Sequence, residues 1–392
     1  MTDTVLDPAP AASRRTVRAS AGAVATTIAC VLPVFLVGGL AVQMGRDLHF
    51  SPAGLGLAVS VYFGISALAS VPSGALVERY GPAVVARAGI LLSAGSLLAV
   101  ATLARSYPVL VALLGLGAAA NALGQLASNA ALARHVPAHR QGLSFGVKQA
   151  AIPVSTLLAG AAVPTIALTA GWRWAFVAAA GAALAALPAV PPQEGDRTAR
   201  AAATRAGRAT WALVVVGLAA TLAAAAANAL GTFVVDSSVG RGLSPGLAGL
   251  TLTLGSAVCV AARVAAGWLA DRREHGHVAL IAGMLVVGAV GLGLLAVTGA
   301  VPLVVGVVLG FGLGWAWPGL MNFAVVRLHP QAPAAATSIT QTGVYAGGCL
   351  GPLGLGAVAA HLGYPAMWAT AAIAMLVAAT LMLTGSRLLT HL

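Results

Sequence analysis

Charged and aromatic residues are both scarce in this sequence. Of its 392 residues, 8% are Asp, Glu, Lys or Arg and 5% are Phe, Trp or Tyr, whereas 59% are hydrophobic. Soluble domains contain about a quarter charged residues. The composition therefore excludes a water-soluble globular domain and indicates a protein that lies within a lipid bilayer.

Residues that build metal, nucleotide or catalytic sites are also few. The three cysteines, Cys30, Cys259 and Cys349, lie in apolar runs without metal-like spacing, so we expect buried free thiols. The eight histidines are interpreted as loop and tail polarity, and no phosphate-binding Gly-x4-Gly-Lys-Ser/Thr sequence is present. We expect no metal, no cofactor and no catalytic residue.

Long apolar runs make up most of the chain instead. About 20 apolar residues in a helix span the hydrocarbon core of a bilayer, which is about 30 Å thick. The alternating pattern of a membrane β-barrel is absent. The runs predict an all-α polytopic membrane protein with twelve transmembrane helices. The predicted spans are 22–43, 53–73, 84–104, 108–132, 143–168, 174–190, 211–235, 246–269, 278–298, 302–326, 335–359 and 365–385.

The two halves of the chain repeat each other at a nearly constant offset. At 193 residues, the matched pairs are Gly74 with Gly267, Glu78 with Asp271, Arg79 with Arg272 and Asn129 with Asn322. At 192 residues, Gln149 matches Gln341 and Gly171 matches Gly363. Chance matches do not keep one offset over such distances, so the chain is a duplicated unit with six helices in each copy.

The repeated loop is the most specific motif in the sequence. Its first copy reads Gly-Ala-Leu-Val-Glu-Arg-Tyr-Gly from Gly74, and its second reads Gly-Trp-Leu-Ala-Asp-Arg-Arg from Gly267. This loop resembles the Gly-x-Leu-Ala-Asp-Arg-x-Gly signature of the major facilitator superfamily of secondary transporters. The first copy departs from it at Glu78, where Asp is usual, and at Pro82, where a basic residue is common; the second lacks the final Gly.

This resemblance implies an architecture and a mechanism. The fold would be two pseudo-symmetric six-helix halves that work by alternating access, as a monomer by default. A membrane-embedded enzyme is the alternative from another class, and we do not expect it because no predicted span contains a His, Asp or Glu that could act as a base. The repeated loop would form a gating latch on the cytoplasmic side. The latch residues that it implies are Gly74, Glu78, Arg79, Gly267, Asp271 and Arg272.

Arginine placement predicts the orientation in the membrane. Cytoplasmic loops collect Lys and Arg, and only Arg46, Arg105, Arg173 and Arg241 fall on the opposite side in this assignment. Both termini are then cytoplasmic in a multi-pass protein of the cell membrane. The net charge of +12 is interpreted as contact with anionic lipid, not with nucleic acid. The predicted segments are a cytoplasmic N-terminal tail at 1–21, a first half at 22–190, a cytoplasmic linker at 191–210, a second half at 211–385 and a cytoplasmic tail at 386–392.

Two cations fall inside predicted spans. Lys148 is the only lysine in the chain, and an unpaired charge in a bilayer costs roughly 2.5–3.5 kcal/mol on insertion scales. It is either a functional cation or a side chain that reaches the cytoplasmic headgroups. Arg263 lies in an Ala-Arg-x3-Gly run that resembles monocarboxylate and oxalate transporters, which implies contact with a substrate carboxylate. Its alternative is a structural hydrogen bond to a neighbouring helix or to Asp271.

Uncharged polar residues accompany these cations within the spans. Asn121, Gln125 and Asn129 recur every four residues and so share one helix face. Singly, each amide is interpreted as a hydrogen bond between helices. Together they would line a cavity. The substrate-binding candidates are Lys148, Arg263, Gln149, Asn121, Gln125, Asn129, Asn228, Gln341 and Tyr345.

Acidic residues are absent from the interior of every predicted span. Proton-coupled drug exporters of this superfamily typically carry a buried carboxylate there, whereas a cavity with Lys148 and Arg263 alone favours an anion. We therefore expect transport of a small organic solute, an anion such as a monocarboxylate. Coupling stays open between proton co-transport, anion exchange and none. The alternative is an efflux pump for amphipathic drugs or metabolites.

Overall fold

The structure is a computed structural model that describes residues 8–50, 52–192 and 211–390. These residues form helices joined by short turns, with no strand among them. The first nine membrane helices are α1 Pro8–Gly39, α2 Pro52–Tyr80, α3 Pro82–Leu103, α4 Tyr107–His135, α5 Gln141–Ala162, α6 Trp172–Ala185, α7 Trp211–Gly240, α8 Pro245–Asp271 and α9 His277–Leu295. A short helix, Ala41–Leu48, separates α1 from α2.

The last three helices contain breaks. Helix α10 runs through Ala300–Leu309, a π-helical segment Gly310–Gly314, and Trp317–Leu328. The final helical stretch, Pro333–Thr390, is broken at Gly363, whose φ of 81° and ψ of 169° lie outside helical geometry. It therefore comprises two helices, α11 (333–362) and α12 (364–390).

The prediction of twelve spans is confirmed. Eleven described stretches are long and apolar enough to cross a membrane, and one of them, Pro333–Leu388, has 56 residues. That length is twice what one crossing needs, and Gly363 divides it. Gly171, its match in the other half, has a similar backbone with φ 97° and ψ 151° between α5 and α6. Both positions need a positive φ, which glycine adopts without strain.

The helix ends differ from the predicted spans at several places. Helix α1 begins at Pro8, inside the segment predicted as a tail, and ends at Gly39 instead of residue 43. His277, predicted in a loop, is the buried first residue of α9. Most of the predicted linker, 193–210, lies outside the described residues, as do 1–7, Ser51 and 391–392.

The two halves meet mainly through two helix pairs, α2 with α11 and α5 with α8, and also where α10 packs on α5 and α11 on α4. We call the membrane side at which α2 and α8 end the latch side. Here the backbones nearly touch: a Cβ added to Gly267 would lie 3.1 Å from the Cα of Gly146, and one added to Gly74 would lie 3.0 Å from the carbonyl oxygen of Ala334. Small residues permit this approach between membrane helices.

Glycines near the opposite ends of these four helices face open space. Near those ends, a Cβ added to Gly56 of α2, Gly160 of α5, Gly249 of α8 or Gly354 of α11 meets no other atom within 4 Å. Among the described residues, the farthest hydrogen bond from the latch side that joins the halves is from the hydroxyl of Ser60 to the carbonyl of Cys349, at 3.2 Å. The halves are thus closed together at the latch side.

Candidate functional site

Lys148 lies on α5 and is fully buried. Its ammonium donates hydrogen bonds to the side-chain oxygens of Gln125 and, at 3.0 Å, Asn129, both on α4. The predicted face of α4 amides therefore meets the predicted cation. The alternative in which Lys148 reaches the headgroups is wrong. An ammonium has three N–H donors, and the third has no hydrogen-bond partner among the described residues.

Arg263 lies on α8 and is only 2% exposed. Its Nε and Nη2 donate to the carbonyl oxygen of Trp315 at 3.3 and 2.9 Å, and its Nη1 donates to the carbonyl oxygen of Gln149 at 2.5 Å. Trp315 follows the π-helical break of α10, where regular helix bonding is interrupted. Arg263 therefore makes the structural bonds that the sequence left as its alternative, and it links α8 to α5 of the other half.

Asn121 and Tyr345 meet across the two halves. The Tyr345 hydroxyl donates to the carbonyl oxygen of Asn121 at 3.4 Å, and the Asn121 amide donates to Ser66 at 3.4 Å. The Tyr345 ring also stacks on Phe63 of α2, with ring centroids 6.2 Å apart. This cluster connects α4 and α2 with α11.

Several buried polar atoms near this interface have no hydrogen-bond partner. They are Asn121 Oδ1, Asn129 Nδ2, Gln149 Oε1, Gln341 Oε1, Trp317 Nε1 and both side-chain atoms of Asn322. Leaving such a group unpaired costs about 1–3 kcal/mol. The set contains both donors and acceptors, so it suits a small molecule or ordered water that supplies the missing bonds.

Asn228 stands apart from the other candidates. Its amide donates to the carbonyl oxygen of Ala224 at 2.7 Å, one turn earlier on α7. No described hydrogen bond joins it to Lys148, Arg263 or the α4 amides.

The first latch acid, Glu78, reaches across to the second half. Its Oε1 accepts hydrogen bonds from the backbone N–H groups of Ala334 at 2.9 Å and Ala335 at 3.4 Å. These are among the first residues of α11, and a helix N-terminus binds anions through its free N–H groups and dipole. The other oxygen lies 3.6 Å from Arg134 of α4.

The second latch acid, Asp271, makes the reciprocal contact. Its Oδ1 accepts from the N–H of Gly142 at 2.6 Å and its Oδ2 from the N–H of Leu143 at 2.9 Å, at the start of α5. Gly142 and Leu143 correspond to Ala334 and Ala335 at the offset of 192 residues. Each acid of one half thus caps the equivalent helix of the other.

The remaining latch candidates take different positions. Gly74 and Gly267 lie where the backbones of the two halves come close together. The Arg79 guanidinium carbon lies 5.3 Å from the ring centre of Tyr80, and that of Arg272 lies 3.4 Å from the ring centre of Trp268.

Sequence reasoning missed several partners in these sites. Arg134 is one of the arginines that the charge rule merely assigns to cytoplasmic loops, yet it is the ion-pair partner of Glu78. The cap at Ala334 was missed too, although the repeat offset, applied from the start of α5, leads directly to it. Backbone acceptors such as the carbonyl of Trp315 leave no signal in the residue types.

Comparisons with known proteins identify the family. The model of the Major Facilitator Superfamily matches residues 23–352 and, in a second match, 216–387. The structure of the proton:xylose symporter XylE is similar at a TM-score of 0.77, with 15% identity over 95% of this chain and 96% of that one. A comparison with curated protein sequences gives no match.

Two further solved structures agree. The human organic anion transporter MFSD10 has a TM-score of 0.72, with 18% identity over 95% of this chain and 99% of its own. The E. coli fucose:proton symporter FucP has a TM-score of 0.69, with 14% identity over 93% and 98%. At these identities the structural likeness establishes the fold, and the family model matches most of the sequence. The chain belongs to the major facilitator superfamily and is a multi-pass membrane transporter.

Proposed function

We propose that this transporter moves a small organic anion, such as a monocarboxylate, across the cell membrane by alternating access. The observation that carries the proposal is Lys148, a fully buried cation held only by the neutral oxygens of Gln125 and Asn129. A transported carboxylate would supply the missing counter-charge and accept the third ammonium N–H. Charge-assisted hydrogen bonds of this kind are the stronger ones in proteins.

The surrounding charges favour the same substrate class. Among the described residues, the ion pairs are Arg134 with Glu78 and Arg173 with Asp47, so neither Lys148 nor Arg263 has a carboxylate partner. Of the five N–H groups of a guanidinium, Arg263 uses three on backbone carbonyls. Two buried cations without acids make the centre of the protein electropositive.

The unpartnered amides would provide orientation. Asn129 Nδ2 is a free donor beside Lys148, while Gln149 Oε1 and Gln341 Oε1 are free acceptors. A donor such as Asn129 Nδ2 can bind the carboxylate of a substrate, and the two acceptors can bind a hydroxyl group on the same substrate. A small hydroxycarboxylate therefore matches the groups that are present better than an unsubstituted acid.

The solved relatives support both cargo and coupling. One is an organic anion transporter, and two are proton symporters. Entry of a proton together with the anion would offset the charge moved across the membrane. Proton co-transport is therefore the coupling that we propose.

The latch provides the switch between the two access states. Because arginines crowd the latch side, we assign it and both termini to the cytoplasm. The Glu78 and Asp271 caps then hold the cytoplasmic side closed. Opening toward the cytoplasm requires both caps to break and α2 and α5 to separate from α11 and α8.

Uptake of labelled lactate, pyruvate and acetate into proteoliposomes tests the proposal. We expect Lys148→Gln to lower uptake by about 10- to 100-fold, since loss of a charged hydrogen bond costs roughly 1.5–3 kcal/mol. Its unfolding temperature serves as the control for intact folding. Uptake at the parent rate would reject the anion assignment and leave export of amphipathic compounds as the better reading.

Arg263 needs a paired test because it also makes structural bonds. Arg263→Lys keeps the charge but loses the fork that holds Trp315, whereas Arg263→Gln loses both. If the charge matters for the anion, Arg263→Lys retains more uptake than Arg263→Gln at equal protein stability. Equal losses in both variants would limit Arg263 to a structural role.

A further inference from the structure

A separate cavity lies on the latch side, and neither Lys148 nor Arg263 lines it. Its volume is about 330 Å³, near the lower end of the range for small-molecule sites. Its walls come from the latch-side ends of α1, α3 and α4, from the residues after α6, and from the connection between α10 and α11. The polar side chains in its lining belong to Thr26, Glu78, Ser128, Arg134, His135 and Gln331.

The charges in this cavity favour an anion. Arg134 contacts Glu78 through one nitrogen at 3.6 Å, and no other partner of its guanidinium is described. His135 uses Nδ1 on the carbonyl of Ala131 at 3.0 Å, which leaves Nε2 for a ligand. Glu78, the one acid among the described residues of the lining, already accepts two backbone N–H groups. Its charge is therefore compensated, while Arg134 keeps free donors.

The remaining wall is apolar and rigid. It consists mainly of alanines and prolines, among them Ala83, Ala86, Ala131, Pro191 and Pro330. Such a surface accommodates a compact ring or short chain, and Arg134 binds carboxylates in a planar, two-pronged manner. We propose that this cavity binds a small organic carboxylate with an apolar body.

The position of the cavity gives this ligand a regulatory effect. Most of the wall belongs to the first half, but Pro330, Gln331 and Pro333 belong to the second half, at the start of the helix that Glu78 caps. A ligand that contacts both halves binds the closed latch better than the open one, so it stabilises the closed state. It would then slow transport from the latch side. This last step rests on the proposed function, in which the latch opens in each cycle.

Binding of 2-naphthoate to the purified full chain tests the site itself, by fluorescence. The background is Lys148→Gln, which removes the central anion site. We expect this variant to bind naphthoate. Adding Ala131→Phe should weaken naphthoate binding at least tenfold, because the new side chain fills the cavity. The uncharged analogue 2-naphthamide should bind Lys148→Gln at least tenfold more weakly than naphthoate does. Ala112→Phe, on the exposed face of α4 outside the cavity, is the matched control and should bind normally.

The outcomes separate this inference from the proposed function. Unchanged binding in Ala131→Phe, or equal binding of the amide, would overturn the anion site whether or not lactate is transported. Gly267→Leu keeps the latch from closing and should also weaken naphthoate binding at least tenfold; normal binding there would overturn the preference for the closed state.

Inhibition of transport in proteoliposomes tests the regulatory effect. Naphthoate on the latch side should inhibit the parent and Ala112→Phe at least fivefold more strongly than Ala131→Phe, and equal inhibition would reject regulation through this cavity.

Discussion

The latch and the central cations follow opposite rules of symmetry. Glu78 and Asp271 occupy equivalent positions, and so do the helix starts that they cap. At the same offsets, Lys148 corresponds to Thr340 and Arg263 corresponds to Ser70. Both copies of the duplicated unit contain the latch contact, whereas each of the two buried charges is present in one copy only.

This difference separates two kinds of residue. A residue present in both copies serves a function that both halves share, such as closing one side of the membrane. A buried charge present in one copy breaks the symmetry, and it carries a cost that packing does not offset. We therefore expect latch changes to alter the balance between states, and changes at Lys148 to alter ligand binding without changing that balance.

The largest effect expected on the latch comes from Gly267→Leu. The new side chain would meet the backbone of Gly142 and Gly146, and overpacking of this kind costs about 1–3 kcal/mol. Because the halves cannot close, uptake should fall well over tenfold. Thermal stabilisation by lactate should remain, since Lys148 is untouched, whereas Lys148→Gln should lose both uptake and stabilisation.

Maleimide labelling of Cys349 reports the state directly. This thiol is half-buried beside Ser60, and the other two cysteines are buried. In Gly267→Leu we expect slower labelling, because the side opposite the latch closes when the latch opens. The control is Gly283→Leu on the exposed face of α9, where a Cβ meets no other atom within 4 Å. Parent-like labelling in Gly267→Leu would contradict the coupling of the two sides.

A smaller effect distinguishes the two latch copies. Asp271 uses one oxygen for each N–H, at 2.6 and 2.9 Å, while one oxygen of Glu78 serves both, at 2.9 and 3.4 Å. A carboxylate at a helix N-terminus contributes about 0.3–1 kcal/mol, and up to about 2 kcal/mol when partly buried. We expect Asp271→Asn to slow Cys349 labelling more than Glu78→Gln does. The reverse order would show that the Arg134 pair outweighs the shorter hydrogen bonds.

The sequence allowed most of the fold and part of the site to be predicted. Apolar runs and one repeat offset predict twelve helices in two halves, because membrane helices need a fixed length and a duplicated unit keeps its spacing. The neighbours of Lys148 also follow from the spacing of Gln125 and Asn129 on one helix face. The bonds of Arg263 do not, since its acceptors are backbone carbonyls at a helix break, and any residue type supplies those.

The smallest expected effect comes from Asp47, a charged residue without a charged counterpart in the other half. It tests whether the lack of such a counterpart is sufficient to identify a charge that takes part in transport. Asp47 pairs with Arg173 at 2.6 Å, yet the equivalent positions are Gly240 and Pro365. Its side chain is 46% exposed, so the pair is worth within about 1 kcal/mol. The hydrogen bond from Arg173, aided by that from Trp172, lowers the pKa of Asp47 below its usual value.

The sign of this shift sets the pH range of the test. A carboxyl group whose pKa is lower in the folded state contributes stability above its unfolded pKa, and that stability is lost as the pH falls through the folded value. Asp47→Asn should therefore lower the unfolding temperature at pH 7 by at most about 2–4 °C, have less effect below pH 4, and leave lactate uptake unchanged. Loss of uptake would mean that an exposed charge without a counterpart in the other half also takes part in transport. Burial would then not distinguish the functional charge of Lys148 from that of Asp47.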